Sequence, residues 1–479
     1  MKFSITKKNH IFVFCFFIIG NLFAEPGKFV KDIQIEDFDI QIPDIQKENL
    51  GKNIEFYKLP SDELPVCNLE IHLYGGESSV GNLPIETVAI IAGSLKYGGT
   101  KKYSDNLFLA KLESLGVKFE IETDYRKIKI TLSFLKKDSE EVMRLLSELL
   151  TSPAFTENSI SDAKRKIAEQ IKRRNDSTDS IVFRKTKELI YRGLLTGKSY
   201  RIDSLEKVKK ENVEDFYFHS IRNAKKAILV SGSYDELKLK KNISEMFSSE
   251  KKEKAKFTEE VLSEEILQAN FQKYSFQNIL VEKPVTQSAV MMVGLLPRHN
   301  HSDFYAIQIL NYIIGGGGFN SYFMREIRSD RGLAYSAYSN PVFKKDHGYI
   351  YFYVQTKIES TELVYNLMKE ILSEDRFGKI TEKEIQNAKN AIQNQFVFLF
   401  SNNSQILSNY LRFSEDEMPA RYLENYRKEI GKVTLEDLKR VGTKYFVSNK
   451  LKTIVVGTGD SFKFLEPKHS KKIFPESEL

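Results

Sequence analysis

The chain has 479 residues, of which 72 are Lys or Arg and 65 are Asp or Glu, giving a formal net charge of +7. This length predicts at least two hydrophobic cores, and contents of 41% hydrophobic and 29% charged residues exclude a largely disordered protein. Basic residues are interspersed with acidic ones, which excludes the clustered positive surface of a nucleic-acid-binding protein.

Residues 1–24 have the composition of a secretory signal. Lys2 and Lys7 belong to a basic N-terminal region, an apolar run occupies 11–19, and Ala24 completes a small-residue cleavage pattern. Because that run is shorter than the roughly 20 residues that cross a bilayer, we expect the segment to be removed rather than kept as an anchor. The remaining chain has no second run of this kind and is expected in the periplasm or the cell envelope.

The two cysteines cannot form a disulfide in the mature chain. Cys15 lies in the apolar run of the signal and would leave with it, so that Cys67 remains as a single thiol. Cys67 belongs to the apolar, strand-like stretch 64–73, where a cysteine usually behaves as a small hydrophobic residue. We therefore interpret Cys67 as a core residue and not as a nucleophile.

A charged stretch near the middle divides the chain. Residues 249–265, SEKKEKAKFTEEVLSEE, contain few large apolar side chains and are typical of a linker or surface loop. This stretch predicts an N-terminal domain, 25–248, and a C-terminal domain, 266–479, of similar size.

The two halves repeat one another. Each contains an amphipathic run, a phenylalanine and a long helical run in the same order. In the first half these are 140–150, Phe155 and 162–174, and in the second they are 362–372, Phe377 and 382–396. A further pair, 212–216 and 434–438, precedes a strand-like segment that ends at Gly232 or Gly457. We therefore expect two copies of one arrangement.

Apolar residues recur with two different spacings in each half. Apolar residues at i, i+3, i+4 and i+7 mark helices, whereas alternation marks strands at 117–122, 127–134 and 349–355. The first two of these strands are joined by a short link, as in an antiparallel pair. Together the patterns predict an α+β fold in which helices cover one face of a sheet.

Residues 282–339 are the most informative segment. They begin with a predicted strand, 287–294, and a predicted helix, 303–314, that has one apolar face. The glycines that follow are Gly315, Gly316, Gly317 and Gly318. Such a run suits a hinge or a close backbone approach, and a phosphate-binding loop is disfavoured because no Gly-Lys-Ser or Gly-Lys-Thr follows it.

A short helix is predicted after the glycines. Asn320 or Ser321 can cap it, it runs to about Arg328, and Gly332 can end it before the next strand. Arg328 then lies at the end of the helix and Tyr335 at the start of the strand, so one turn can bring both to the same cleft. A guanidinium and a phenol both donate hydrogen bonds to an oxygen that gains negative charge, as amide hydrolysis requires.

On these residues, segment 283–339 resembles the C-terminal domain signature of the pitrilysin and insulinase family, which includes mitochondrial processing peptidases and two-subunit bacterial relatives. Through the repeat, the resemblance covers nearly the whole mature chain. It implies two processing-peptidase-like α+β domains that face each other like a clam shell and hold an extended peptide. It also implies that Arg328, Tyr335 and the glycine run 315–318 bind this peptide, although Tyr322 replaces an arginine that is frequent in the signature.

The same resemblance bears on zinc, which the family binds through an inverted His-x-x-Glu-His motif: two imidazoles are ligands and the glutamate activates a metal-bound water. No pair of the seven histidines has this spacing with a glutamate between them. If Gly99 and Thr100 match the Gly-Thr that follows the motif in relatives, its positions are taken by Ile90, Gly93 and Ser94. The resemblance therefore implies that this chain binds no cofactor.

Three other side chains are candidate metal ligands. Glu169 lies in the region where relatives have a further ligand, but one carboxylate cannot hold zinc, and a helix-surface carboxylate is the simpler interpretation. His299 and His301 lie two residues apart in a polar turn without a third ligand nearby. We interpret both as solvated loop residues.

These features lead to two hypotheses on function. In the first, the chain is the substrate-binding subunit of a periplasmic zinc metallopeptidase: Arg328 and Tyr335 stabilise the oxyanion, and a His-x-x-Glu-His partner supplies zinc and cleaves the peptide. The peptide would bind by adding a strand to a sheet edge. In the second, the chain is a pseudoenzyme that binds peptides or acts as a scaffold without hydrolysis. A self-sufficient peptidase with an unrecognised site has little support.

Overall fold

Twelve β-strands form two six-stranded sheets in the part of the chain that the structure, a computed structural model, describes: residues 45–51, 53–248, 259–273, 276–419 and 421–474. The predicted signal, 1–24, and most of the predicted linker, 249–258, lie outside these ranges. Ile42–Leu479 forms one compact unit. The domain boundaries given above stay a prediction.

The first sheet is built by the N-terminal half. Its strands are Gln46–Gly51 (β1), Ile54–Pro60 (β2), Val66–Tyr74 (β3), Lys118–Thr123 (β4), Lys127–Leu135 (β5) and Lys226–Gly232 (β6). Their order in space is β1-β2-β6-β3-β5-β4, with β2 and β6 parallel and all other neighbours antiparallel. The strands predicted at 117–122 and 127–134 are β4 and β5, and they pair as expected.

The second sheet is built by the C-terminal half. Its strands are Asn278–Glu282 (β7), Gln287–Leu296 (β8), Ala334–Phe343 (β9), Gly348–Lys357 (β10), Lys452–Gly457 (β11) and Ser470–Ile473 (β12). Their order is β12-β7-β11-β8-β10-β9, with β7 parallel to β11 and antiparallel pairs from β11 to β9. Apart from β1 and β12, both sheets have one topology, which confirms the internal repeat.

Sixteen α-helices surround these sheets in the described residues. Those of the first half are Glu86–Tyr97 (α1), Asp105–Ser114 (α2), Ser139–Thr151 (α3), Glu157–Arg173 (α4), Thr178–Ile190 (α5), Ile202–Glu206 (α6), Lys210–Phe216 (α7) and Glu236–Phe247 (α8). Those of the second half are Glu264–Gln272 (α9), Phe304–Asn311 (α10), Thr361–Ile371 (α11), Glu374–Gly378 (α12), Glu382–Phe396 (α13), Asn403–Glu415 (α14), Tyr422–Lys432 (α15) and Leu435–Val441 (α16). The repeated helical runs are α3 and α4 in one half and α11 and α13 in the other.

The two halves have the same helix caps and helix extensions at equivalent positions. Thr156 caps α4 by accepting from the Ser159 backbone nitrogen at 3.1 Å, and Thr381 caps α13 by accepting from the Glu384 nitrogen at 3.3 Å. Both caps satisfy a backbone N–H that the first helical turn leaves unpaired. In addition, α7 and α16 each continue into a five-residue π-helix, and a short connection then leads to β6 or β11.

The alternation along the strands buries one face of each sheet under its own helices. On β3, Cys67, Leu69 and Ile71 are at most 1% exposed, and they share a core with Leu145 and Leu149 of α3. Burying one leucine or isoleucine side chain completely stabilises the folded state by roughly 1.5–3 kcal/mol. The burial raises the pKa of the Cys67 thiol to about 12, so the interpretation of Cys67 as a core residue is confirmed.

The opposite face of each sheet is covered by a helix from the other half. Leu189 and Ile190 of α5 pack on β8 and β11 of the second sheet, and Leu407 and Leu411 of α14 pack on β2 and β6 of the first. Each half therefore completes a hydrophobic cluster of the other. This reciprocal packing explains why the described chain forms one compact unit.

Candidate functional site

The glycine run follows α10, which continues as a π-helix, Tyr312–Gly316, and then forms the 3-10 turn Gly318–Asn320. A Cβ on Gly315 would lie 2.6 Å from the backbone nitrogen of Ser339 in β9, which is too close for any other residue. Gly318 has a φ of +57° and open space around it. A close approach and a left-handed turn therefore require glycine at these two positions.

Gly316 and Gly317 complete the same crowded turn. A Cβ on Gly317 would lie 2.6 Å from the carbonyl oxygen of Tyr312, and a Cβ on Gly316 would collide with the Asn311 side chain. Of the two expectations for the run, close backbone approach is the one that its packing supports. A role of these glycines in substrate binding stays a prediction.

A second π-helix, Phe323–Ser329, carries Arg328. At its start the Ser321 hydroxyl accepts from the Met324 nitrogen at 3.4 Å, and at its end the Gly332 nitrogen donates to the Arg328 carbonyl oxygen at 2.9 Å. The predicted cap and glycine stop are therefore both present, with β9 directly after them. The helix is of the π type, which occurs mostly as single turns, frequently at functional sites.

The Arg328 guanidinium is half-buried and has aromatic and sulfur neighbours. Its Cζ lies 5.6 Å from the centre of the Phe319 ring, and its Nη1 lies 3.6 Å from Met324 Sδ. Phe319 is itself 71% exposed. Within the described ranges no carboxylate pairs with Arg328, so its N–H groups remain available to an acceptor that arrives from solvent.

Neighbouring arginines are held differently. Arg325 and Arg376 both contact the Glu326 carboxylate, and Arg331 donates to the Glu326 carbonyl oxygen at 2.7 Å. One acidic residue therefore engages three guanidinium groups of this region. Arg328 is the arginine of the π-helix that this network leaves out.

Tyr335 lies at an irregularity of the edge strand. In the pairing of β9 with β10, Thr356 opposes Ala334 whereas Gln355 opposes Ser336, so Tyr335 is the extra residue of a bulge. Its side chain is 64% exposed. Bulges redirect side chains at sheet edges and near functional sites, and this one turns the phenol away from the core.

β9 is the edge strand of the second sheet in the described part of the chain. It pairs with β10 on one side and is the last strand in the sheet order, and the π-helices Tyr312–Gly316 and Phe323–Ser329 pack against it. An extended peptide can pair with such an edge. The structure places Arg328 and Tyr335 at the two ends of the turn that leads into this strand.

Tyr322, where the family signature frequently has an arginine, is buried. Its hydroxyl donates to Glu384 of α13 at 2.9 Å, and its ring lies between Arg325 and Arg376, whose Cζ atoms are 5.1 and 4.3 Å from its centre. Arg376 therefore brings a guanidinium to this place from a distant segment. The Arg376 contact was missed in the sequence because Arg376 has no fixed spacing from the motif, and Phe319 was missed although it directly follows the glycine run.

The positions matched to the zinc motif lie on α1 within the core. Ile90 is fully buried, Ser94 is 1% exposed, and a Cβ on Gly93 would lie only 3.2 Å from the Ala163 side chain of α4. Ile90 belongs to the same hydrophobic cluster as Ile167 of α4. Helix packing thus occupies the space in which a metal and its ligands would have to fit.

The other candidate ligands are also separated. Glu169 is exposed on α4 and pairs with Arg165 at 3.4 Å, which fits a helix-surface carboxylate. The prediction that His299 is solvated is wrong, because it is buried against Phe304 and its Nδ1 bonds to Asp416 at 2.7 Å. No set of three His, Cys, Asp or Glu side chains suited to a metal occurs in the described ranges.

Family models match both halves of the chain. The model described as insulinase, peptidase family M16, matches residues 88–201, and the model described as peptidase M16 inactive domain matches residues 207–392. Together they account for more than half of the chain. Among the helices that the structure describes, none has the length and apolar character of a membrane span.

Relatives and solved structures agree with this assignment. The chain is 23% identical to a non-peptidase homolog, YmxG, of Helicobacter pylori, over 78% of this chain and 85% of that protein. It is also 23% identical to an uncharacterized zinc protease of Rickettsia felis, over 87% and 98% of the two chains. A crystal structure of a peptidase M16 inactive domain from Pseudomonas fluorescens superposes with a TM-score of 0.73 at 19% identity, covering 87% of this chain and 98% of that one.

The duplicated sheets, the packing around the degenerate motif and these similarities have one explanation. Two α+β units of the same topology, one with the positions of the metal motif and one with the Arg328 and Tyr335 segment, follow one another in the order of the two family models. The α+β prediction is therefore confirmed. The chain belongs to the M16 (insulinase) peptidase family, as a member without the family's zinc motif.

Proposed function

We propose that this chain is a non-catalytic, substrate-binding subunit of a zinc metallopeptidase complex. The observation that supports this most is the contrast between two faces of the molecule. Tyr335 is exposed on the edge strand and Arg328 has no carboxylate partner among the described residues, whereas Ile90 and Ser94 are buried in the core. In this proposal Arg328 and Tyr335 bind the peptide, and no side-chain cluster suited to a metal occurs in the described residues.

The binding step follows from the chemistry of a peptide backbone. An extended peptide next to β9 exchanges N–H···O=C bonds with the strand edge, which provides affinity with little demand on sequence. The Arg328 guanidinium and the Tyr335 hydroxyl can then donate to a peptide carbonyl oxygen. Charge-assisted bonds of this kind strengthen as the oxygen becomes negative, so they stabilise the tetrahedral intermediate more than the substrate.

The chemical step is assigned to a second chain. A partner of the same family with an intact His-x-x-Glu-His motif would hold zinc and activate water on the opposite side of the peptide. In this proposal the complex is located in the periplasm or envelope, after removal of residues 1–24. This chain contributes no metal ligand and binds no cofactor of its own.

The proposal is tested by purification from the native envelope. We expect a His-x-x-Glu-His relative to co-purify and the complex to cleave peptides in a chelator-sensitive manner. Arg328→Ala and Tyr335→Phe should each lower cleavage at least about tenfold, as loss of an oxyanion donor does. Arg331→Ala, which removes an exposed guanidinium of the same turn that is held by the Glu326 carbonyl oxygen, and Tyr97→Phe, at an exposed position at the end of α1, serve as matched controls.

Two outcomes contradict the proposal in different ways. Cleavage that is unchanged in Arg328→Ala and Tyr335→Phe would remove the catalytic contribution of this chain. A stable complex without any cleavage would favour the alternative, a scaffold or peptide-binding pseudoenzyme. A stoichiometric zinc ion in the isolated, active chain would reject both the subunit proposal and the scaffold alternative.

A further inference from the structure

A polar pocket lies between the start of α1, the end of α4, the middle of α5 and the turn 197–204. Its volume is about 410 Å³, within the range of sites that hold small ligands. The polar side chains that form its walls include Glu86, Arg174, Arg184, Glu188, Ser199 and Ser204. Glu86 lies one helical turn before Ile90, so the pocket is next to the filled metal position but separate from it.

Glu86 is fully buried and only half satisfied. Its Oε1 accepts from the Arg201 backbone nitrogen at 2.8 Å and from the Ser204 hydroxyl at 2.5 Å. Its Oε2 is buried and has no hydrogen-bond partner among the described residues, and Glu86 lines the pocket. An unpaired buried acceptor is unfavourable because it has lost its bonds to water, and a ligand N–H donor would remove that cost.

The second acidic residue of the pocket is already compensated. Glu188 accepts from Arg184 at 3.0 Å, from Lys185 at 2.8 Å and from the Ser199 hydroxyl at 2.6 Å. Arg174 and Lys198 add two further positive charges to the walls. The pocket therefore combines an excess of positive charge with one carboxylate oxygen that needs a donor.

We propose that this pocket binds a terminal α-carboxylate together with the nitrogen donor on the same carbon. The carboxylate is recognised by the arginine side, where charge-assisted bonds are strongest, and the N–H donates to Glu86 Oε2. A peptide C-terminal residue and a free amino acid share this chemistry. The inference goes beyond the proposed subunit role and does not depend on Arg328 or Tyr335.

Calorimetric titration of the full mature chain tests this with three probes. N-acetyl-L-alanine has both groups and imitates a peptide C-terminus, L-alanine represents a free amino acid, and L-alaninamide lacks the carboxylate. We expect the first two to bind and the amide to bind at least about tenfold more weakly. The tighter of the two carboxylates identifies the natural source.

Substitutions connect the binding to the pocket. Glu86→Gln should weaken N-acetyl-L-alanine at least about tenfold, since the amide group puts a donor where Oε2 accepts. Arg174→Lys, which keeps the charge but loses the planar fork, should weaken it as well, and the exposed Glu169→Gln should not. Equal binding of the amide, no binding of any probe, or unchanged binding by both folded pocket variants would overturn the proposal.

Discussion

At the scale of single residues, the side chains at the positions matched to the metal motif are buried. Ile90 is fully buried in the first core, and the buried Ser94 hydroxyl has no hydrogen-bond partner among the described residues. The assignment of these residues to the motif positions depends on matching the following Gly99 and Thr100 to relatives and stays a prediction. The sequence could not show that α4 closes over them, since that depends on Ala163 and on packing between helices.

Ile90→His should therefore destabilise the fold without restoring a metal site. An imidazole in this apolar position loses packing and buries a polar group, which together cost about 2–4 kcal/mol. The measurement is urea denaturation, with zinc content measured in parallel. Leu237→His, at a position that is 82% exposed, is the control and should cost less than about 0.5 kcal/mol. Zinc uptake at unchanged stability would show that the core assignment is wrong.

At the scale of elements, the glycine run divides into positions with different requirements. Gly315→Ala places a methyl group 2.6 Å from the backbone of Ser339 and should cost about 2–3 kcal/mol through overpacking. Gly318→Ala meets no atom but keeps a positive φ, which costs about 1–2 kcal/mol. Gly116, with a φ of +64° and open surroundings, is the matched control for Gly318. Equal losses at Gly315 and Gly318 would refute the close approach to β9.

The end of α14 provides a pH-dependent contact with the first sheet. Glu415 accepts from Lys127 of β5 at 3.1 Å and from the Tyr74 hydroxyl of β3. Burial, together with the negative charge of nearby carboxylates, raises the pKa of Glu415 to about 8. Those carboxylates are Asp416, Glu55 and Glu70. Burial also lowers the pKa of Lys127.

Stability should consequently fall as pH rises from about 5 to 8. In this window the folded chain keeps a proton on Glu415 that the unfolded chain, with an ordinary carboxyl pKa near 4.5, has released. Glu415→Gln cannot titrate and should lose at least about 1 kcal/mol less than the native chain over the window. Unfolding midpoints in urea at several pH values measure this. Parallel pH profiles of the two proteins would contradict the raised pKa.

Element types were largely predictable where one periodicity extends over a whole segment. Alternation identified β4, β5 and β10, and amphipathic runs identified α3 and α11. The π-helices that carry Arg328 and end α10 were not predictable, because a single widened turn changes the hydrogen bonds but hardly changes the apolar pattern. The buried His299 was misjudged, since its polar neighbours in sequence do not show the distant Asp416.

At the scale of the whole molecule, the sequence predicted that the two halves have the same fold. It did not predict that each half places a helix on the sheet of the other. Two similar sheets follow from repeated patterns in the sequence. That α5 covers the second sheet and α14 the first depends on contacts between residues more than one hundred positions apart. This exchange makes each half part of the core of the other, in agreement with the single compact unit that residues 42–479 form.

In the proposed function, the chain binds peptides through Arg328 and Tyr335 without a metal. The most direct test is fluorescence anisotropy of a labelled, extended peptide titrated with the isolated mature chain, with and without a chelator. We predict binding that the chelator leaves unchanged and that Arg328→Ala weakens at least about tenfold, with Arg331→Ala as control. Binding that the chelator abolishes, or that is equal in Arg328→Ala and the native chain, would contradict it.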